Sequence, residues 1–395
     1  MRNIMTKNNI IFYVPRTSVL NSFIDPINIF LRRKFNVYIF HADSLYNSTS
    51  AEKPYNKIDI GKMSLNKITH TVKAINPVVF FCIHFASIND KLMIRLMKKL
   101  NIKTYYLQHG LLLEDQLFYV KNDSYFRNNF FFLLYRNSYF IRNYLIYICT
   151  LSFNRKEFHI SYNMFFRKIF LENTFEKAIF FTNESYEMVN KYFHFRRDQV
   201  KISGSPLFYR NDELIKYNEN PPVIKQKYIL YVHSPFVFSG STHLTYITER
   251  EYLKPYFDFF IEEGYVVKFL LHPREEIFLY TDLYKEISNI EIIQEPNSVY
   301  LLHDATFVLG HSSSVLINAL CLRVPIIQIP YPGKYECVPI IEEHSLFINS
   351  PLELKQTFRE KEKIKDFIHT VKHNNDLPIK ITSFEHIADL LIEII

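Results

Sequence analysis

The residues able to do chemistry in this chain gather at its glycines, of which there are only seven in 395 residues. An ordinary chain carries about 7% glycine, so each one kept here marks a place where a side chain does not fit. The first cluster is Gln108-His109-Gly110, with Glu114 and Asp115 close behind. An imidazole at a strand's end, beside a glycine that lets a substrate approach the backbone, is placed to act as a general base. Glu114 and Asp115 are alternative bases in the same turn, and the plain structural reading of His109 is a ring hydrogen-bonded within it. The second cluster is Leu309-Gly310-His311-Ser312-Ser313-Ser314, running into the apolar stretch Val315 to Leu320. A glycine turn and three hydroxyls at a helix start make an anion site, because free backbone N–H groups and the positive dipole end face one point. One serine would suffice as a cap; three after Gly310 point to phosphate.

Three weaker turns join these. His272-Pro273-Arg274-Glu275 ends an apolar run, and the proline fixes a turn that leaves His272 and Arg274 to pair with phosphate. His233-Ser234-Pro235, leading to Ser239-Gly240-Ser241-Thr242, offers a second wall for phosphates, and Gly204-Ser205-Pro206 a second glycine for close backbone approach. The serine run also permits a rival, since Gly310-His311-Ser312-Ser313-Ser314 approaches the GxSxG elbow of serine hydrolases, with His369 or His373 downstream as bases. Ser314 in place of the last glycine crowds that strained turn.

Other chemistries lack their residues. The glycines are too far apart for GxGxxG, and Gly61-Lys62-Met63 and Gly333-Lys334-Tyr335 lack the hydroxyl of a phosphate-loop lysine motif. Cys82, Cys149, Cys321 and Cys337 show no CxxC spacing, which excludes a zinc cluster and a disulfide scaffold, and no carboxylate pair reads as a metal site. The expectation is no metal and no cofactor.

Strand-to-helix turns must position all of these. Short runs rich in Val, Ile, Phe and Tyr recur at 10–14, 37–40, 78–83, 104–107, 178–181 and 200–202, then at 228–232, 266–271, 290–293, 306–309 and 325–329. Segments of helical spacing separate them, the pattern of parallel sheets with crossover helices. Asn211 to Lys227, with Pro221-Pro222, is polar and aperiodic and reads as a linker. The expected architecture is α/β: a Rossmann-like domain over 1–212 and a second over 222–395, their parallel sheets facing a central cleft. In open parallel sheets ligands sit beyond the carboxyl ends of the strands, where these turns fall.

Residues 121–170 break the pattern. They hold eight Lys and Arg against Asp123 and Glu157, six of the chain's net +7, and sixteen Phe and Tyr. Arg136 and Arg142 would cost a membrane-spanning helix about 2.5–3.5 kcal/mol each at mid-bilayer, so a span is rejected. Asn129, Arg136 and Asn143 recur every seven residues and predict one polar stripe on an aromatic helix. Such an insert fits an interface with anionic lipid or, alternatively, packing in the first domain's core. Nucleic acid is set aside, because no recognised nucleic-acid-binding pattern accompanies the charge. The apolar run Ile10 to Val14 before Pro15 is too short for a signal-peptide core, which predicts a cytoplasmic protein, peripheral on the inner face of the plasma membrane.

In order, these turns resemble bacterial surface-polysaccharide transferases of the GT-B fold: the CDP-glycerol glycerophosphotransferases and the polysialyl- and Kdo-type capsule transferases. Gln108-His109-Gly110 is similar to the Trp-His-Gly turn of the first group, with glutamine for tryptophan, and Gly204-Ser205-Pro206 with Arg210-Asn211-Asp212 resembles its Gly-x-Pro-Arg-Asn-Asp stretch with three extra residues. His272-Pro273 and Ser312-Ser313-Ser314 match turns that hold the donor's phosphate in both groups. The resemblance implies inverting, metal-free transfer from a nucleotide-activated donor, CMP- or CDP-linked, to a lipid-linked or polysaccharide acceptor. His109 would be the base, since the acidic pair that polysialyltransferases carry there is absent. It leaves open polyol-phosphate transfer, nucleotide-sugar epimerisation and a non-catalytic, membrane-associated role in capsule assembly.

Overall fold

The computed structural model describes residues 7–15, 23–45, 56–85, 87–110, 130–150, 154–162, 174–208, 227–238, 242–273, 275–295, 299–311, 313–332, 339–342, 344–373 and 380–395. The chain divides into two compact units: 1–120 with 130–207 and 379–395, and 121–129 with 208–378. Each is built on one parallel sheet.

The first unit's strands are β1 (Asn8–Tyr13), β2 (Phe35–His41), β3 (Asn56–Asp59), β4 (Val79–Cys82), β5 (Lys103–Leu107), β6 (Lys177–Phe180) and β7 (Val200–Ile202), in spatial order β3-β2-β1-β4-β5-β6-β7. Alternation along the strands divides two apolar layers. Ile11, Tyr13, Phe80, Tyr106 and Phe180 face one core, while Ile10, Phe12, Val79, Phe81, Tyr105 and Ile179 face the other. Burial on both faces is why these strands read as continuous apolar runs.

The second unit carries β8 (Tyr228–Val232), β9 (Val266–Leu270), β10 (Ile290–Ile293), β11 (Phe307–Gly310), β12 (Ile326–Gln328) and β13 (Ser345–Phe347), in order β10-β9-β8-β11-β12-β13. Two Rossmann-like domains are therefore present, as the strand pattern predicts. The two strands that pattern misses, β3 and β13, are short sheet edges whose sequences, Asn56-Lys57-Ile58-Asp59 and Ser345-Leu346-Phe347, hold too few apolar residues to make a run.

The aromatic segment forms a helix over Phe130–Cys149. Phe140, Tyr144 and Tyr147 are buried on the first unit, and Asn143 donates from Nδ2 to the carbonyl of Met63 at 2.8 Å. Asn143 thus lies on the packed face and not on an outward polar stripe. Among the described residues no helix is long and apolar enough to cross a membrane.

The largest departure from the expected boundaries is at the carboxyl end. The helix Phe384–Ile394 lies in the first unit, burying Ile387, Ala388, Leu391 and Ile394 in one of its two cores. Its lead-in is laced to the end of β7: Ser205 N–H donates to Lys380 O at 2.8 Å, and Thr382 N–H to Ser205 O at 3.0 Å. Gly204 makes this possible. It sits at φ +81°, and a Cβ there would lie 2.4 Å from the Lys380 carbonyl oxygen. The close approach expected at Gly204 is therefore made by the chain itself, and no ligand is needed to explain this glycine. Gly204→Ala should lose stability by at least about 2–3 kcal/mol from the combined clash and left-handed φ, read as a lower urea midpoint with unchanged m-value.

Candidate functional site

In the second unit the strand order reverses between β8 and β11, and in such sheets ligands bind at that point, beyond the carboxyl ends. The predicted residues converge on this edge. His233 and Ser234 follow β8, His272 follows β9, and Gly310, His311, Ser313 and Ser314 end β11 and open the next helix. These are three adjacent strands. Gly310 is pressed against β8, where an added Cβ would meet the Val232 carbonyl oxygen at 3.3 Å. Ser313 is the N-cap of the helix Ser314–Cys321; its backbone is extended and its Oγ accepts from Val315 N–H at 3.2 Å. Ser314 is exposed at the first helical position. The serine cap leaves room for an anion in principle, since it occupies one first-turn N–H and the dipole at a helix start favours a negative group. His272 is half-buried, its carbonyl accepting from Glu275 N–H and from Gln294 Nε2, both at 3.0 Å. Arg274 and Ser312 lie outside the described residues.

Two of the predicted phosphate ligands have other work. His311 is buried; its Nδ1 lies 2.9 Å from the Ile329 carbonyl and its Nε2 2.9 Å from the Tyr231 hydroxyl. A carbonyl only accepts, so Nδ1 carries the proton and Nε2 receives the phenol. Burial drives the ring down to about 3, keeping it neutral. His311 therefore ties β8 to the end of β12 and has no nitrogen left for a phosphate.

His233 is the opposite case. It is buried between two carboxylates, with Nδ1 at 2.6 Å from Glu275 Oε2 and Nε2 at 3.3 Å from Glu249 Oε1. Tyr280 donates to Glu275 at 2.7 Å and Tyr331 donates to Glu249. Burial pushes the imidazole down, but the hydrogen bonds and fields of Glu249 and Glu275 outweigh it and raise the ring to about 9. His233 is thus an imidazolium with both N–H groups spent, and it too is unavailable as a ligand. It locks the floor of the β8 turn. Glu249, sixteen residues away in the first turn of the helix Tyr246–Glu262, carried no signal in the sequence; Glu275 was visible beside His272 but without a partner to explain it.

In the first unit the chain order reverses between β1 and β4, and the predicted base lies one strand over, at the end of β5. The His109 ring packs edge-on against Phe23 at 5.0 Å and against His84 at 6.0 Å. Burial, with the neighbouring His84, lowers His109 to about 4, so it is neutral and able to accept a proton at physiological pH. Gln108 is buried and fixes the turn: Oε1 accepts from Phe181 N–H at 2.7 Å, and Nε2 donates to Gly110 O at 2.9 Å and Ser185 Oγ at 3.2 Å. Gly110 has φ +70°, and no described atom lies within 4 Å of where its Cβ would be, so among the described residues nothing fills the space that Lys380 fills beside Gly204. Glu114 and Asp115 lie outside the described residues.

Sequence reasoning missed His84 and Asp90. His84 follows β4 at the switch point, and the rule that singled out His109 applies to it equally. Its ring is lowered by burial, opposed by the field of Asp90. Asp90 closes a capping box with Ser87, and its Oδ1 is buried with no hydrogen-bond partner among the described residues. Burial raises this carboxyl. Among the described residues no group of three His, Cys, Asp or Glu is arranged to hold a metal ion.

The His233 cluster has a measurable signature. A ring at about 9 in the fold and about 6.5 unfolded contributes stability fully present below about pH 6.5 and lost as pH rises through about 9. The melting temperature should therefore fall across that window, and Glu249→Gln, which removes one of the two charges, should move the fall to lower pH in thermal melts compared with the parent chain. A fall identical in both proteins would sink the assignment.

No family model and no characterised relative matches this sequence. Its fold, however, is shared with solved structures. The UDP-GlcNAc 2-epimerase of Neisseria meningitidis bound to UDP-GlcNAc is 11% identical at TM-score 0.54, with 98% of this chain and 99% of that one covered. The UDP-GlcNAc 2-epimerase of Methanocaldococcus jannaschii is 15% identical at TM-score 0.54, covering 98% and 100%. A variant of the wall teichoic acid polymerase TagF is 13% identical at TM-score 0.52, covering 98% and 88%. At such identities the likeness is one of fold: this chain has the GT-B fold, two Rossmann-like domains with parallel sheets.

Proposed function

We propose that this chain is a nucleotide-sugar enzyme, and within that class a glycosyltransferase that moves a sugar from a nucleotide-activated donor to a growing cell-surface polysaccharide of capsule, lipopolysaccharide or teichoic-acid type. The observation that carries the reading is the edge of the second sheet, where the Ser313-capped helix opens beside the β8–β11 switch point. The donor's phosphate would lie against the amides of that first turn, with His272 and Arg274 from the β9 turn and Ser312 from the serine run as further partners. The acceptor hydroxyl would attack the anomeric carbon and give its proton to neutral His109, while the bond from that carbon to the phosphate oxygen breaks and the nucleotide leaves with the electron pair. Gly110 lets the acceptor approach the backbone, and Glu114 and Asp115 remain the alternative bases. His84 and Asp90 set the polarity around His109.

The acceptor in this reading is lipid-linked or a polysaccharide, the enzyme works at the inner face of the plasma membrane, and neither metal nor cofactor takes part. The sequence resemblance favours a CMP- or CDP-linked donor, and with a CDP-polyol donor the same site would transfer a polyol phosphate. A second reading, nucleotide-sugar epimerisation, is favoured by the structures of like fold, two of which are UDP-GlcNAc 2-epimerases.

Thermal melts with CMP, CDP, UDP, GDP and NAD test the reading. A nucleotide at 100 times its dissociation constant should add about 2.7 kcal/mol of stability, and Ser313→Ala should weaken that response. His109→Ala should keep the nucleotide response and lower turnover by about 10²–10⁴-fold. Because the His109 ring lies at about 4, activity should hold down to about pH 5 and fall only below it. Conversion of UDP-GlcNAc to its epimer without acceptor would establish the second reading, and a chain that answers no nucleotide is no nucleotide-sugar enzyme.

A further inference from the structure

The helix Phe130–Cys149 has two faces of unlike fate. Phe140, Asn143, Tyr144 and Tyr147 are buried on the first unit. The opposite stripe, Ser138, Ile141, Arg142, Leu145 and Ile146, is at the surface and lines an open apolar groove. Leu145 is 57% exposed, and Tyr135, Ile141 and Ile146 each 40% or more. Contiguous exposed apolar side chains of this size on one helix face are unusual in a chain that meets only water.

The charges around the stripe decide what covers it. The helix contains no acid, and neither does any position between Asp123 and Glu157. Arg142 lies in the stripe and stacks over Tyr139 at 5.3 Å, and exposed Lys62 sits 5.9 Å from the Tyr135 ring. The following helix, Arg155–Tyr162, exposes Arg155 and Phe158. Cations therefore accompany the apolar stripe, while Lys99, over the buried Tyr147 ring at 5.6 Å, belongs to the packed side. A second copy docked by two-fold symmetry would bring this cationic face against itself, which costs Coulomb energy. A nucleic acid would satisfy the charge but leave Ile141, Leu145 and Ile146 without an apolar partner. A bilayer with anionic headgroups satisfies both at once: headgroups for the cations, the acyl boundary for the apolar stripe.

The geometry points to the exposed face of Phe130–Cys149 as a docking surface for an anionic lipid bilayer, the helix lying in the interface plane with Ile141, Leu145 and Ile146 inserted and Arg142 and Lys62 at headgroup level. The inference rests on this surface and not on the nucleotide reading, so the two fail separately.

The test is co-sedimentation of the full chain, without any nucleotide, with vesicles of phosphatidylcholine alone or containing about one-third phosphatidylglycerol. Binding to the anionic vesicles only is expected, weakening by about tenfold as salt rises from about 0.1 to about 0.5 M. The triple substitution Ile141→Ser, Leu145→Ser, Ile146→Ser should lower partitioning by at least about tenfold at constant salt. Arg142→Glu should lower it with a shallower salt dependence. All four positions are exposed, so melting curves of both variants should match the parent and separate lost docking from lost folding. Equal binding to neutral vesicles, no binding, or binding that ignores these substitutions overturns the proposal. So does a parent that is dimeric and a triple variant that is monomeric by light scattering, which would assign the face to a second copy.

Discussion

The carbonyl of Lys380 occupies the space where any side chain at position 204 would stand, and much of the first domain hangs on that contact. Through it the carboxyl-terminal helix Phe384–Ile394 is held on the first sheet, covering one of its two apolar faces. A parallel sheet must be covered on both sides, and burying each Ile or Leu of that helix contributes about 1.5–3 kcal/mol. The contact also reaches the candidate site: Phe384 packs on Phe23 at 6.4 Å, and Phe23 packs on His109 at 5.0 Å. The wall that buries the proposed base, and so keeps it unprotonated, is tied to a segment about 275 residues downstream.

Histidines at strand ends look alike in the chain and come to differ entirely in the fold. His109 stands beside Gly110, and burial makes it neutral. His311 is neutral because burial outweighs the hydrogen bond to the Ile329 carbonyl, which by itself would favour the charged ring. His233 is cationic because Glu249 and Glu275 close on it from both sides. A buried carboxylate–imidazolium–carboxylate cluster is costly unless each charge is hydrogen-bonded, and Tyr280 and Tyr331 supply the remaining bonds. Its position under the β8 turn suits a rigid floor, over which the Ser313 helix start and the His272 turn can hold fixed positions.

Of the two alternatives that the composition of the basic aromatic insert allowed, the structure shows packing in the first domain's core for one face of its helix. One stripe of its helix joins the domain core, which accounts for Phe140, Tyr144 and Tyr147. The other stripe stays outward, with Ile141, Arg142, Leu145 and Ile146. The heptad of polar residues had suggested an outward polar stripe, but Asn143 turns inward because the Met63 carbonyl needs a donor there. What faces outward is the apolar side.

The sequence alone determined the parallel-sheet architecture, eleven of the strands and the strand-end turns. Those features depend on local apolar runs and on glycine and proline, whose effects are confined to a few neighbouring residues. The edge strands β3 and β13 escaped because they are short and hold only one and two apolar residues. Tertiary structure decided which of the marked residues remain available to a ligand. Gly204 and Gly110 have the same left-handed backbone, and only the path of residues 380–382 shows that the space beside Gly204 is filled by the chain itself. His233 and His311 lost their candidacy to Glu249, Glu275, Tyr231 and Ile329, partners 16 to 80 positions away. Hydrogen bonds and desolvation act through space, so the protonation state of a side chain belongs to the fold, while its capacity for chemistry belongs to the sequence.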